Sequence, residues 1–475
     1  MSHVLSTDSH GFFYTAGRGM ERFVLEEIRC KLSAIDVESM TGKVFFKGNP
    51  DLCSLRKVKS AERIFLLLYK GPPLTEYKGN ALLFTLQKLV TGEPKVWLDT
   101  FQIWKTFQEQ INKQGHFHGQ EKVLKRKLDD DSSKSKSKTC KEEIEVGEEP
   151  LCQVQATIDT ATPLLLQKLP VKVTEHSAHN ISEPITFRVS CRCSGVYTKT
   201  MTAQDIGRVI GASLSKQFGW KPDLRQPMLE VFVHLNDMYS VVGFPILRQP
   251  LSNRDYIQST GLRATTAWAM ASVAEISAAK YVLDPMCGVG TILLEAAMEW
   301  PHTSFLGIDK SEVQLKHALD NVKKAGVMNS VAFLKGSVLD LPVLSESMDV
   351  IISDIPFGKK FTCSKDMKEL LPDIIRQMER VLCIGGVLVL LLSQKLHYHL
   401  KTNFHFKSNE DKNLQCHVSD SVSQCRSDNL KVAGHITLKK LDFTCLTHIE
   451  SHSVSLGVTE AVIFKCKKTS NSIFF

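Results

Sequence analysis

A short glycine-containing turn follows an apolar dipeptide and has the residues of a ligand cradle. Residues 284–291 read Asp-Pro-Met-Cys-Gly-Val-Gly-Thr, and the apolar spacing after Thr291 predicts that a helix begins there. Gly288 and Gly290 lack a Cβ, so a ligand can lie close to the main chain and receive the free N–H groups of the helix. Position 293 is Leu where a dinucleotide site has a third glycine, so the turn favours a mononucleoside with a small charged tail, such as S-adenosylmethionine.

A second apolar segment ends in an acidic residue further along the chain. Residues 305–309 read Phe-Leu-Gly-Ile-Asp, which predicts a strand with Asp309 at its carboxyl end. A carboxylate at such a second strand end is the group that binds the two hydroxyls of a ribose. The glycine turn alone is weak evidence, because a turn that merely packs a helix on a sheet can have the same residues.

A third apolar segment ends in the sequence Asp354-Ile-Pro-Phe-Gly. The Asp354 carboxylate and the Ile355 carbonyl can both accept hydrogen bonds from one exocyclic amino group. Pro356 stiffens the turn and has no N–H that would compete, and Phe357 offers a flat face on which a base can stack. The motif therefore predicts chemistry at the amino group of a base, with a carboxylate that only caps a turn as the structural alternative.

Together these motifs resemble those of the THUMP-domain guanosine N2-methyltransferases, a class I family. The resemblance implies S-adenosylmethionine as cofactor and methyl transfer to the exocyclic amine of a guanosine in RNA. The cofactor-binding residues that it implies are Asp284, Met286, Gly288, Gly290, Thr291, Asp309, Ser337 and Val338. The catalytic residues that it implies are Asp354, Ile355, Pro356 and Phe357.

The chain departs from the family pattern at two positions. Ile355 stands where most of the wider superfamily has Pro, and Ser337 stands where an adenine-contacting acid is usual. A protein that binds RNA but has a degenerate cofactor site is therefore one alternative. An amino-group methyltransferase that acts on protein glutamine or on DNA is another. Zinc deaminases and ATP-dependent thiolation enzymes do not fit, because no Pro-Cys-x-x-Cys pair and no phosphate loop with Lys-Ser/Thr occurs.

The composition limits the class of protein further. Of the 475 residues, 43% are hydrophobic and 23% are charged, which is ordinary for globular domains, and the net charge of +8 permits an RNA partner. The 13 cysteines contain no Cys-x-x-Cys pair, so we expect reduced thiols and no bound metal. No signal sequence begins the chain, and the apolar run 387–392 is too short to cross a bilayer. We therefore expect an intracellular protein, nuclear, cytoplasmic or both, without a membrane partner.

Composition and periodicity divide the chain into four segments. Residues 1–114 alternate between strands and helices and predict an α+β, ferredoxin-like unit. Residues 115–180 are mostly charged and polar and predict a largely disordered insertion. Residues 181–247 resemble a THUMP domain, and residues 248–475 predict an α/β class I (Rossmann-like) methyltransferase domain with a mostly parallel sheet.

Several element boundaries follow from local signals. Thr202 to Asp205 is a capping box, and Gly219 suits a helix end, so a helix is expected between them. Residues 367–382 predict a helix that Gly385-Gly386 closes before the next strand. Residues 407–430 predict a polar loop inserted before a final antiparallel pair of strands.

The resemblance also implies partners and RNA contacts. The family's THUMP module holds an RNA end, so the basic residues Arg188, Arg192 and Lys199 are candidate phosphate ligands, or else ordinary surface cations. The implied substrate is a structured small RNA, either tRNA or spliceosomal small nuclear RNA. The implied protein partner is the small zinc-binding activator subunit that several methyltransferases share. Lys125-Arg126-Lys127 is compatible with a nuclear import patch and equally with a solvated charge run.

Overall fold

The computed structural model describes residues 9–77, 79–129, 184–356, 367–407 and 441–470. Two eight-stranded sheets organise these residues. The elements of the first half are β1 His10–Thr15, α1 Glu21–Lys31, β2 Ile35–Met40, β3 Lys43–Gly48, α2 Leu52–Arg56, β4 Arg63–Gly71, α3 Asn80–Thr91, α4 Pro94–Asp129, β5 Thr186–Cys193, α5 Tyr197–Thr200, α6 Ala203–Phe218, β6 Lys221–Pro222, β7 Leu229–Leu235 and β8 Ser240–Pro245.

The first sheet joins the predicted ferredoxin-like unit and the predicted THUMP domain into one body. Its strand order is β2-β3-β1-β4-β8-β7-β5-β6, and β4 pairs with β8 in an antiparallel register. Alternation along the strands sends Phe12 and Phe244 to one shared core, while Phe13 and Phe232 lie in a second cluster. The ferredoxin-like and THUMP units are therefore not independent, because strands from both complete the same core.

The predicted capped helix is confirmed, and a helix extends into the predicted insertion. The Thr202 hydroxyl accepts a hydrogen bond from the Asp205 N–H at 3.2 Å, and Gly219 ends α6 with a φ of 69°. α4 runs past residue 114 to Asp129, so the first part of the predicted insertion is helical. Residues 120–129 contain Gln, Glu, Lys, Arg and Leu, which favour helix. The rest of the predicted insertion, residues 130–180, lies outside the described residues, as do residues 181–183 at the start of the predicted THUMP segment.

The second half of the chain forms the sheet that carries the ligand motifs. Its elements are α7 Ala264–Val273, a 3-10 helix Ile276–Ala278, β9 Tyr281–Asp284, α8 Thr291–Glu299, β10 Ser304–Asp309, α9 Glu312–Ala325, β11 Val331–Lys335, β12 Met348–Asp354, α10 Met367–Val381, β13 Leu382–Ser393, α11 Gln394–Asn403, β14 Phe404–Lys407, β15 Leu441–Ser455 and β16 Glu460–Lys468.

The strand order of this sheet is that of an α/β, Rossmann-like methyltransferase. It runs β11-β10-β9-β12-β13-β16-β15-β14, with β9 to β13 parallel and β16 antiparallel to both of its neighbours. The predicted fold class and the final antiparallel pair are therefore confirmed. Because β9, β10 and β12 are parallel neighbours, their carboxyl ends meet at one edge of the sheet.

One local prediction differs from the structure, and another falls mostly outside the described residues. Gly385 and Gly386 lie within β13 rather than between α10 and the strand, because pairing with β12 skips from Leu382 to Val387. Gly385, with a φ of 84°, belongs to this bulge, where glycine is favoured. The predicted polar loop at 407–430 lies almost entirely outside the described residues, and the short strand β14 precedes it.

Polar contacts and a shared apolar cluster fix the two halves against each other. Arg254 and Glu295 form a buried ion pair at 3.1 Å, and Arg254 also donates to the Lys59 carbonyl of the first half at 2.7 Å. Phe23 of α1 packs in the same cluster as Val454 of β15. Since burying an ion pair is favourable only with its full set of hydrogen bonds, these contacts define one relative orientation of the halves.

Candidate active site

Three acidic residues meet at the carboxyl edge of the second sheet. Asp284 ends β9, Asp309 ends β10 and Asp354 ends β12, and β9 pairs with both of the other strands. This arrangement follows from the parallel topology, since each crossover helix returns the chain to the opposite edge. The three motifs identified in the sequence therefore share one site.

The glycine turn has the conformation of a ligand cradle. Gly288 and Gly290 have φ values of 52° and 78°, in the region that favours glycine. The Gly288 N–H donates to Asp309 Oδ2 at 2.9 Å, which ties the turn to the neighbouring strand end. A Cβ at Gly288 would meet nothing within 4 Å, whereas a Cβ at Gly290 would lie 3.2 Å from Phe333. Gly288 thus faces open space, and Gly290 provides close packing.

Hydrogen bonds of Asp284 fix the position of the glycine turn. Its carboxylate is 1% exposed, and Oδ1 accepts hydrogen bonds from the Met286 N–H at 3.1 Å and from the Ser353 hydroxyl at 2.9 Å. Burial raises the pKa of Asp284 to about 7, and these hydrogen bonds oppose the rise. Asp284 therefore links the glycine turn to β12 rather than facing a solvent-filled space.

The remaining predicted cofactor residues flank the Asp309 strand end. Asp309 Oδ1 accepts from the Ser311 N–H at 2.8 Å, and the Asp309 carbonyl accepts from the Gly336 N–H at 3.1 Å. Ser337 follows on an exposed turn, in which its hydroxyl accepts from the Leu339 N–H at 3.2 Å. Val338 and Met286 are partly buried against one core cluster, so they can form the apolar sides of a shallow pocket.

Asp354 differs from the other two carboxylates because one of its oxygens lacks a partner. Asp354 Oδ1 is buried, and no described residue donates a hydrogen bond to it. Burial raises the pKa of Asp354 to about 7. Ile355 is fully buried, and its N–H donates to the Leu391 carbonyl at 3.1 Å, which fixes the peptide that follows Asp354. Pro356 comes next and is partly buried, whereas Phe357 lies outside the described residues.

A second polar atom without a partner lies across the same edge. Thr291, the first residue of α8, is 3% exposed, and no described residue bonds to its hydroxyl. Buried polar groups are almost always paired, so atoms left without a partner beside an open cradle indicate a missing ligand. The open space at Gly288, the Thr291 hydroxyl and Asp354 Oδ1 together fit a nucleoside cofactor and an amino group.

Two further residues support the site although the sequence did not single them out. Ser353 anchors Asp284, as described above, and its place next to Asp354 was an available signal. Asn321 is fully buried in α9, donates to the Val289 carbonyl at 3.1 Å and accepts from the Ser259 N–H at 3.0 Å. It thereby joins the glycine turn to the preceding loop, and nothing in the helical pattern of α9 marks it.

The three candidate RNA-binding residues lie in different settings. Arg188 forms an ion pair with Glu230 at 2.9 Å and lines a cavity of about 170 Å³ that Arg225 and Arg248 also line. Arg192 and Lys199 are exposed. Arg188 is therefore partly neutralised, and the cations around its cavity form a larger basic group than the sequence indicated.

Within the described ranges, no group of three or more His, Cys, Asp or Glu side chains is placed to hold a metal ion. No helix among the same residues is long and apolar enough to cross a membrane.

Comparison with known proteins supplies the family. Residues 252–419 match the family UPF0020 (RMKL-like, methyltransferase domain). The chain is 44% identical, over 96% of each chain, to the U6 snRNA (guanine-N(2))-methyltransferase THUMPD2 of Bos taurus. It is 25% identical, over 80% of each chain, to the tRNA (guanine(6)-N(2))-methyltransferase THUMP3 of the same organism. THUMP domain-containing protein 2, the individual relative that the motifs suggested, is thus among the matches.

Solved structures agree on the fold. The crystal structure of TrmN from Thermus thermophilus aligns with a TM-score of 0.60 at 18% identity, covering 97% of this chain and all of that one. SMU.472, crystallised as a complex with SAH, aligns with a TM-score of 0.56 at 14% identity, covering 98% and 99% of the two chains. The chain therefore belongs to the THUMP-domain class I RNA guanine-N2-methyltransferases, as its motifs, its strand order and its 44% identity over nearly the full length of a relative show.

Proposed function

We propose that the protein transfers a methyl group from S-adenosylmethionine to the exocyclic N2 amine of a guanosine in a structured small RNA. The observation that carries this proposal is the buried Asp354 Oδ1, which lacks a partner beside an open glycine cradle. An amino group can satisfy this oxygen, because it brings two N–H donors. The 44% identity to a guanine-N2-methyltransferase, over 96% of each chain, supports the same chemistry.

The mechanism rests on fixed hydrogen-bond acceptors. The guanine amine is a weak nucleophile because its lone pair is delocalised into the ring. As the amine attacks, positive charge grows on its nitrogen, so acceptors already in place stabilise the transition state more than the ground state. Asp354 and the Ile355 carbonyl fill this role, and the bond from the Ile355 N–H to Leu391 holds their geometry. Pro356 limits the freedom of the turn, and Phe357 is proposed to stack on the base so that the amine lines up.

The residues around the glycine turn are proposed to hold the cofactor. When bound, S-adenosylmethionine supplies an electrophilic methyl group on a sulfonium. Asp309 is suited to the ribose hydroxyls, Gly288 allows close approach, and Thr291 offers a hydroxyl at the helix N-terminus. The Met286 and Val338 side chains and the Ser337 turn are suited to the adenine end, while Gly290 and Asp284 keep the turn in shape.

The substrate class follows from the relatives and from the first sheet. The relatives are named as methyltransferases of U6 snRNA and of tRNA, and the 44% identity to the former favours small nuclear RNA. We propose residues 181–247 as the RNA-binding module, residues 1–114 as its partner and residues 248–475 as the methyltransferase domain. Arg188, Arg192 and Lys199 are kept as candidate phosphate ligands. With either substrate class, the proposed location of the reaction is the nucleus, the cytoplasm or both.

A protein partner is also proposed. The family resemblance implies a small zinc-binding activator subunit, and the sheet offers an edge that suits one. β11 is the last strand on its side, and Leu334, Leu339 and Leu344 on and after it are 41%, 43% and 81% exposed. An edge strand with exposed leucines can accept a strand from another chain.

The test is methyl transfer from labelled S-adenosylmethionine to cellular RNA sorted by size, with the protein alone and with the activator subunit. We expect label in one small-RNA band that digests to N2-methylguanosine. Label in protein or DNA would instead support the amino-group alternatives. No label under either condition, with RNA binding intact, would support the RNA-binding alternative.

A further inference from the structure

A second cavity lies between the first sheet and the methyltransferase domain. Its volume is about 640 Å³, and both halves of the chain line it. Arg18 and Thr41 come from the first half, and Gln394, Ser453 and Glu460 come from the second. We call this cavity the interdomain cleft. Because residues of both halves line it, the cleft exists only when the two halves are docked as they are here.

Two residues that line the interdomain cleft, Gln394 and Glu460, lie at the same edge of the sheet as Asp354. Asp354 pairs with Leu391 of β13, and Ser393 of the same strand pairs with Ala461 of β16, next to Glu460. Asp354 and Ala461 are two strands apart, roughly 10 Å across the sheet. Along the strand direction they are two residues apart, roughly 7 Å. If one nucleotide of an RNA strand is bound at Asp354, a neighbouring nucleotide of that strand can therefore reach the cleft.

The backbone of Arg18 is fixed in the cleft, whereas its side chain is mostly exposed to solvent. The Arg18 carbonyl accepts from the Ser455 N–H at 2.9 Å, and the Arg18 side chain is 78% exposed. Gly19 has a φ of 86°, and a Cβ there would lie 2.1 Å from the Ser453 carbonyl oxygen. The turn is thus pressed against β15, so the position of Arg18 depends on the contact between the halves.

The two carboxylates of the cleft differ in their availability. Glu21 accepts the N–H groups of Gly19 and Gly42, each at 2.7 Å, so its charge is used within the turn. Glu460 is 48% exposed and stands 4.0 Å from Arg18, at the limit of an ion pair. Such a long, exposed pair is weak, so an anion of higher charge density can displace Glu460 from Arg18.

We propose that the interdomain cleft binds the sugar-phosphate backbone of the RNA strand beside the target guanosine, with Arg18 as the phosphate ligand. Thr41, Gln394 and Ser453 then offer hydroxyl and amide groups to the neighbouring ribose. This inference rests on the proposed function, and it makes the first half a wall of the active site as well as an RNA-binding unit.

The test compares RNA binding by the full-length wild type and Arg18→Gln across a series of KCl concentrations, using the small RNA that is labelled in the transfer assay or, failing that, total small RNA. Losing one phosphate contact should weaken binding about fivefold at low salt and reduce the slope of log Kd against log salt by about 0.7 to 0.9. An unchanged slope would overturn the proposal. Because the Arg18 side chain is exposed, the thermal midpoint of unfolding of Arg18→Gln should match that of the wild type.

Two further variants sharpen the result. Glu460→Gln removes the competing carboxylate and should tighten RNA binding, whereas a purely structural Arg18–Glu460 pair would give unchanged or weaker binding and contradict the proposal. Arg376→Gln is the matched control, since Arg376 is also exposed and paired with one carboxylate, Asp373, on α10. It should bind RNA as the wild type does.

The transfer assay keeps the two proposals separate. At saturating RNA, Arg18→Gln should retain the kcat of the wild type with a raised KM for RNA. If the wild type transfers no methyl group, the proposed function fails, but the salt slopes still decide whether Arg18 binds phosphate. If the wild type is active and the slopes are equal, the cleft proposal alone fails.

Discussion

Asp284 and Asp354 end neighbouring strands of one sheet, and burial raises the pKa of each to about 7. The two carboxylates differ in their hydrogen bonds. Asp284 Oδ1 accepts from Met286 and Ser353, while Asp354 Oδ1 is buried without a described partner. Residue type, position and pKa therefore do not distinguish the supporting carboxylate from the one proposed to accept from the substrate, whereas hydrogen-bond satisfaction does.

The largest effect is expected from removing the acceptor at the reacting strand end. Asp354→Ala should lower kcat about 10²- to 10³-fold, because one fixed group that stabilises transition-state charge is lost. Single-turnover methyl transfer at saturating RNA and cofactor measures this effect. Asp349→Asn is the matched control, since Asp349 lies at the other end of β12, where it accepts from the N–H groups of Lys280 and Tyr281. Equal kcat losses in both variants would remove the distinction.

Removing the supporting carboxylate should instead affect stability. Asp284→Ala leaves the Met286 N–H and the Ser353 hydroxyl buried without their acceptor, which should lower the free energy of unfolding by about 2–4 kcal/mol. Asp284→Asn retains an acceptor oxygen and should lose clearly less. Urea unfolding of both variants measures the difference. If Asp284→Ala were as stable as the wild type, Asp284 could not be a structural support.

A smaller effect is expected at the open face of the cradle. Gly288→Ala places a methyl group in the space proposed for the cofactor and should weaken S-adenosylmethionine binding about tenfold, or about 1.4 kcal/mol. Gly326→Ala is the control, because Gly326 also has a positive φ, 74°, and open space around its Cβ position, but it ends α9 away from the turn. Both variants carry the same backbone strain, so only the first should change cofactor affinity in equilibrium dialysis.

Near neutral pH, the smallest effect is that of protonating Asp354. Asp354 accepts hydrogen bonds at both oxygens only as a carboxylate, so kcat/KM for RNA at saturating cofactor should fall about tenfold per pH unit below its pKa of about 7, with about a twofold loss at pH 7. Asp284→Asn should keep this acid limb, since Asp284 does not contact the substrate. An acid limb lost in Asp284→Asn would assign the titration to the wrong carboxylate.

The sequence predicted the parts of this molecule that short-range patterns encode. The strand ends at Asp284, Asp309 and Asp354 were placed correctly because each follows an apolar run, and the parallel order of the sheet then brings them together. The roles of Ser353 and Asn321 depend on contacts across the fold that no local pattern contains.

Domain division showed the same limit of local patterns. Composition predicted two separate units before the methyltransferase domain, yet β4 pairs with β8 and completes one sheet from both. The pairing joins residues far apart in the chain, so periodicity within either unit cannot reveal it. The interdomain cleft depends on the same kind of long-range contact, at Gly19 and Ser453.

The most direct test of the division between the two carboxylates is the S-adenosylmethionine Kd of Asp354→Ala, measured by equilibrium dialysis without RNA. We predict a Kd within about twofold of the wild type, because Asp354 acts on the guanosine amine and not on the cofactor. A Kd raised more than about tenfold, equal to about 1.4 kcal/mol, would contradict the account. Asp354 would then belong to the cofactor site, and its free oxygen would have to be explained by the cofactor rather than by the base.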